Sequence, residues 1–238
     1  MNVNLKLILI FAYILCLGAL FIFLFSYLDF NDLTDYYYIK RNSESLLEYR
    51  DNNLFLFILF FLIISIFWIF FLGFGSPVAI ISGFMFGQWY GTLISLVSLT
   101  IGSTLLYIFV RRYFHYLVLD YLERRIKNYK NFFKKNELFY FTIFRLTGGA
   151  GIPFPIQNIL PIVFDMKIKN YFYASLFGLI PGLFIINSLG SGVEKLIGEN
   201  ESLSYLNIIS NPGIYWPIIG FIIILIASFF IREKFFKK

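Results

Sequence analysis

Residues 73–90 read GFGSPVAIISGFMFGQWY, and the disposition of this stretch decides the fold. It lies within 57 consecutive uncharged residues, 54–110, a run too long for two plain membrane spans and too heavily punctuated for three. Leu54–Leu72 reads as a conventional span, and 91–110 as another, with Gly102 and several Ser and Thr residues for close helix contacts. Between them Gly73, Gly75, Pro77, Gly83 and Gly87 disfavour one continuous helix. Irregular backbone at membrane depth persists only where it is buried in protein or lines a cavity. The stretch 73–90 is therefore expected to form a re-entrant hairpin, shaped by Pro77, with the glycines allowing close approach.

The rest of the composition agrees with a membrane chain. Of 238 residues 59% are hydrophobic and 14% charged, and charge gathered into a few short stretches cannot solvate the exterior of a soluble domain. A soluble enzyme is excluded on that ground. One cysteine, Cys16, and one histidine, His115, exclude an internal disulfide and the usual thiolate or His-rich metal sites, so no metal or cofactor is expected. The formal charge of +6 sits beside apolar spans, where basic residues set topology and meet anionic headgroups, so nucleic acid is not the expected partner.

Residues 7–28 carry no charge, and 22 helical residues extend about 33 Å, enough to cross the bilayer core. A polar connector, 29–53, follows. A second broken segment, 146–166, holds Gly148, Gly149, Gly151, Pro153, Pro155 and Pro161 and cannot be a regular spanning helix. Residues 170–190, interrupted by Gly178, Pro181 and Gly182, and residues 214–231 complete the spans. The expectation is an all-α integral membrane chain of five transmembrane helices and two re-entrant hairpins. It divides into an anchor and connector, 1–53, a core, 54–200, and a last helix with a basic tail, 201–238.

An offset of 76 residues lays Gly73 on Gly149, Gly75 on Gly151, Pro77 on Pro153, Ile80 on Ile156 and Gly102 on Gly178. Both hairpins open with G-x-G-x-P-x-x-I, and broken apolar segments at corresponding places in two repeats point to a transporter-like inverted repeat. Lys and Arg collect on the cytoplasmic side. The expected orientation has the N-terminus outside and the C-terminus cytoplasmic, because seventeen then lie on the inner side, against Lys6 and Lys195 outside. If 73–90 crosses instead, the N-terminus is inside and the count is fifteen to four.

These residues resemble the DedA or VTT-domain membrane proteins, also called SNARE-associated Golgi-like proteins, over roughly residues 50–200. The carriers are Ser82-Gly83-Phe84-Met85-Phe86-Gly87, Phe144-Arg145, and Pro153-Phe154-Pro155-Ile156-Gln157-Asn158, with Gly178, Pro181 and Gly190. The resemblance implies hairpins meeting at mid-membrane in a cell membrane, plasma or inner. It also implies movement of lipids between leaflets, as phospholipid scrambling or recycling of polyprenyl-phosphate carriers. Several bacterial members carry acidic residues beside the first hairpin that are associated with proton coupling. This chain has none from Asn52 to Val110, and it has Ile162 where many relatives place a glycine.

Arg145, at the lip of an apolar hairpin, is costly there unless it reaches water, a carboxylate or a phosphate. It either binds a phosphate-bearing headgroup or serves structurally, snorkelling to the interface or pairing with Asp165. Gln157 and Asn158 can hydrogen-bond a headgroup or satisfy backbone freed by the prolines. Gln88 is the one amide of the first hairpin and a candidate for a polar path. Asp165 is the candidate coupling group, although Lys167 and Lys169 beside it favour a solvated turn. Segment 111–135 interleaves eight basic residues with apolar ones at helical spacing and is expected along the inner leaflet.

The leading reading is a lipid translocase for anionic phospholipid or polyprenyl phosphate. The alternative is a non-transporting scaffold for membrane-protein assembly. No nucleophile–base pair or paired carboxylates fall among the spans, so no enzyme is expected. A path at the interface of a homodimer stays open.

Overall fold

The computed structural model describes residues 36–126, 130–198 and 212–236, with Ser210 and isolated positions between Phe11 and Ser26. The expected span 7–28 therefore lies outside the described residues except for those positions. So do most side chains of the basic segment beyond Asp120. Every regular element among the described residues is helical. Among the described residues two helices are long and apolar enough to cross a membrane, and a bent pair can make a third.

The chain divides into two units, 1–59 and 60–238. The first holds α1 (Tyr36–Asn52), a helix inside the polar connector that ends where Arg50 pairs with Asp51 at 2.7 Å. It also holds the opening of α2 (Leu54–Leu72).

In the second unit the apolar run folds as a zigzag. After α2 the backbone turns through Gly73, at φ 71°, to α3 (Ser76–Tyr113), whose first turn takes Pro77, where an amide N–H would be unpaired anyway. The rings of Phe61 and Phe86 lie 5.3 Å apart, and the Trp68 indole N–H donates to the Phe74 carbonyl at 3.0 Å. The end of α2 and the first limb of α3 are thus two arms of one hairpin. A second reversal falls inside α3 at Gly87, whose φ of 75° and ψ of 175° suit a residue without Cβ. Across it the Ser82 hydroxyl donates to the Gly91 carbonyl at 2.9 Å, and a Cβ on Gly75 would stand 2.8 Å from Leu99. The limb 76–86 is therefore about 17 Å long, half a bilayer core, whereas 88–113 is about 39 Å and long enough to cross.

The same sequence of events recurs downstream. Helix α4 (His115–Ile126) and α5 (Lys130–Lys135) lead to α6 (Glu137–Leu146), capped by the Asn136 side chain, which accepts from Phe139 N–H at 3.2 Å. A 3-10 turn, Gly148–Gly151, is followed by α7 (Phe154–Ile159) and a second 3-10 turn, Leu160–Phe164. Asp165 then adopts left-handed backbone, φ 53°, where the second hairpin gives way to the next helix. The chain continues through α8 (Ile168–Gly178) and α9 (Ile180–Gly198), bent by 45° where they join. Helix α10 (Pro212–Phe236) is last.

The two long limbs run antiparallel. Tyr107 stacks on Tyr171 at 4.4 Å near one end, and Asn187 donates to Ser95 at 3.0 Å toward the other. Hydrocarbon offers no hydrophobic drive for helices to associate, so contact depends on small residues that let backbones approach. Gly83 and Gly91 meet Asn187, and Gly190 meets the Ile80 carbonyl. The hairpin turns also meet: a Cβ on Gly73 would lie 3.0 Å from Pro155. Relative to the sequence reading, 73–90 and 146–166 each take in a hairpin turn plus its second arm. The first arms, in α2 and α6, lie upstream of both ranges.

Candidate functional site

Arg145, in the last turn of α6, is 2% exposed. Its Nη1 donates to Gln157 Oε1 at 3.1 Å, and its Nη2 donates to Asn158 Oδ1 at 2.7 Å and to the Tyr171 hydroxyl at 2.9 Å. The faces of Phe141, Phe154 and Tyr171 surround the guanidinium, with ring centres 4.9, 5.0 and 5.7 Å away. All three hydrogen-bond acceptors are neutral. Among the described residues no carboxylate stands within ion-pair distance of Arg145. Neither structural role expected for it is formed: it does not reach the surface, and Asp165 pairs instead with Lys130 at 3.8 Å.

A buried cation without a counter-ion is expensive, and aromatic faces and neutral dipoles recover only part of its lost hydration. Two donors at this place remain unmatched among the described residues, Arg145 Nε and Asn158 Nδ2. The site is therefore positive, nearly dry, and has donors to spare. That combination suits an anionic oxygen.

Gln157 joins the site to the hairpin turn. Its Nε2 donates to the Gly148 carbonyl at 3.1 Å and to the Ile152 carbonyl at 2.6 Å, satisfying backbone that the 3-10 turn leaves open. A Cβ on Gly149, whose φ is 73°, would collide with that amide. Pro153 and Pro155 start α7 just beyond, so the glycines and prolines fix the loop that holds Gln157.

Gln88 does not join Arg145. It lines a cavity of about 420 Å³ with Pro181, Phe184, Pro212, Trp216 and Phe221, among others. Phe221 approaches the position of a Gly148 Cβ to 3.9 Å, so that cavity borders the second turn. Sequence reasoning missed Tyr171 and Asn187. Asn187, a lone amide on an apolar helix, was legible as a polar contact, whereas nothing in the pattern separates Tyr171 from the sixteen other tyrosines.

No solved structure matches this chain. The sequence model of the VTT domain matches residues 72–192, just over half of the chain and the span that contains both hairpin turns, Arg145 and the Asn187 crossing. With its long apolar helices, the chain is a membrane protein belonging to the VTT-domain family.

Proposed function

We propose that this protein moves phosphate-bearing lipids between leaflets, with the Arg145 site receiving the headgroup as it passes. The supporting observation is a guanidinium held by neutral oxygens, with no carboxylate among the described residues to neutralise it. A phosphate stripped of water in hydrocarbon faces a large barrier, and prearranged donors lower it without reorganising. Guanidinium binds phosphate oxygens through paired hydrogen bonds, and Asn158 Nδ2 adds a further donor. The lipid tails remain in hydrocarbon throughout. No covalent step is part of this reading, and the candidate lipids are anionic phospholipid and polyprenyl phosphate.

The membrane arrangement proposed with it has four spans rather than five. The limb 76–86 is too short to cross, which favours placing the turn at Gly73–Gly75 at mid-depth against Pro155. With the span expected at 7–28, which lies outside the described residues, the limb 88–113, the α8–α9 pair and α10 cross, and α2 and α6 serve as first arms of two opposed hairpins. Trp89 and Tyr90, both exposed, suit one interface, and Arg111 and Arg112 the other. Both termini fall inside under this arrangement, with the fifteen-to-four distribution of basic residues.

The test is leaflet exchange of fluorescent phospholipids and of a fluorescent polyprenyl phosphate in liposomes. Wild type and Arg145→Ala are compared with empty liposomes. Exchange that falls to the empty level in a folded variant supports the reading. No exchange of either lipid by folded wild type rejects it in favour of a scaffold.

A further inference from the structure

A second cleft lies away from Arg145. It has a volume of about 440 Å³ and is bounded by the end of α5, the start of α6 and the turn before α8. Lys134, Lys135 and Lys167 line it, together with two carboxylates, Glu137 and Asp165. Both carboxylates are already engaged. Glu137 accepts from Asn170 Nδ2 at 2.5 Å and from the Lys167 backbone N–H at 3.3 Å, while Asp165 pairs with Lys130. Among the described residues none of the three lysines has a carboxylate within ion-pair distance. With Asp165 matched by Lys130, three lysines face the one remaining charge of Glu137, so the cleft carries net positive charge at a fixed place, not merely on a basic surface.

Its rim is apolar on one side. Phe164, stacked on Phe133 at 4.3 Å, and Leu138 line the cleft, and Leu138 and the adjacent Phe139 are exposed. A free phosphate has no use for that rim, whereas an amphiphile does. The cleft also stands at the start of the bent apolar pair Ile168–Gly178 and Ile180–Lys195, where such a helix leaves hydrocarbon. Arg145 lies eight residues along α6 from Glu137, about 12 Å on.

We propose that the cleft formed by Lys134, Lys135 and Lys167 beside Leu138 and Phe164 docks the phosphate of an anionic lipid headgroup. It loads the lipid at the membrane surface before the Arg145 site is reached. The proposal rests on the lipid-handling reading for its purpose, but its test reads binding and not transport.

Full-length protein in a neutral detergent is titrated calorimetrically with dihexanoyl phosphatidylglycerol, dihexanoyl phosphatidylcholine and inorganic phosphate. The proteins are wild type, Lys134→Gln/Lys135→Gln/Lys167→Gln and Lys195→Gln. An exposed ion pair contributes up to about fivefold, so the triple variant should bind phosphatidylglycerol at least about tenfold more weakly. Lys195→Gln and the weak phosphatidylcholine response should be unchanged. Equal affinity of wild type and the triple variant for phosphatidylglycerol overturns the site. Inorganic phosphate binding as tightly as phosphatidylglycerol overturns the lipid assignment. Lysine-dependent binding without leaflet exchange would retain this site while rejecting the transport reading, so the two failures are distinguishable.

Discussion

Asn158 holds Arg145 with one end of its amide and leaves the other unmatched: Oδ1 accepts from Nη2 at 2.7 Å, while Nδ2 has no acceptor among the described residues. A purely structural arginine would gain more from a carboxylate at this position, which differs from the amide by one group. Asn158→Asp supplies that carboxylate and cancels the site's positive charge. Lipid exchange is expected to drop at least tenfold with the thermal midpoint unchanged or raised. Undiminished exchange by a folded Asn158→Asp protein would sink the anion-receptor reading.

Tyr171 separates holding the guanidinium from receiving a phosphate. Its ring stacks on Tyr107 and packs on Phe141, and its hydroxyl accepts from Arg145 at 2.9 Å. Tyr171→Phe keeps the rings but removes the hydrogen bond to the charged Arg145 and the longer one that the hydroxyl donates to Asn158 Oδ1 at 3.4 Å, a loss of about 1.5–3 kcal/mol from the charged bond alone. Chemical denaturation in micelles should read that loss, with exchange reduced less than in Asn158→Asp. If Tyr171→Phe abolishes exchange at full stability, the hydroxyl belongs to the lipid path rather than to the support of Arg145.

The broken segments were legible because glycine and proline cannot be hidden in an apolar run, and Gly73 and Gly149, which the offset pairs, both take positive φ at turns. What escaped was where each hairpin begins. Leu54–Leu72 has the length and hydropathy of a full span, and only Phe61 against Phe86 reveals that its end is one arm. Likewise Arg145 was visible as a costly charge, but its three partners come from α7 and α8, and no local pattern predicts that meeting. Gln88, grouped with them by chemistry, lies on a different cavity because Gly87 turns it away.

Two glycines of the second turn offer an internal comparison. Gly149 and Gly151 both have positive φ, 73° and 79°, but only a Cβ on Gly149 would strike Gln157. Gly151→Ala should cost about 1–2 kcal/mol from backbone conformation alone. Gly149→Ala carries the same backbone cost and also displaces the amide that bonds Gly148, Ile152 and Arg145, so its loss should exceed that of Gly151→Ala by about 2 kcal/mol or more. Thermal midpoints in one detergent decide the matter, and equal losses would mean that Gln157 is not the clamp on this turn.

The four-span arrangement makes a claim that labelling can check without any transport assay. Trp89 follows the reversal at Gly87, and Lys134 lies in the cleft at the start of α6, so the two should face opposite sides of the membrane. In a Cys16→Ser background, Trp89→Cys should react with an impermeant maleimide on intact cells, and Lys134→Cys only after permeabilisation. The arms give a second reading, since the Phe61 and Phe86 rings stand 5.3 Å apart: Phe61→Cys with Phe86→Cys should be bridged by a short bifunctional thiol reagent. A reporter at Met1 should report the cytoplasm. Labelling of Trp89→Cys and Lys134→Cys from the same side would show that 88–113 does not cross, leaving Gly73 and Pro155 without a common depth at which to meet.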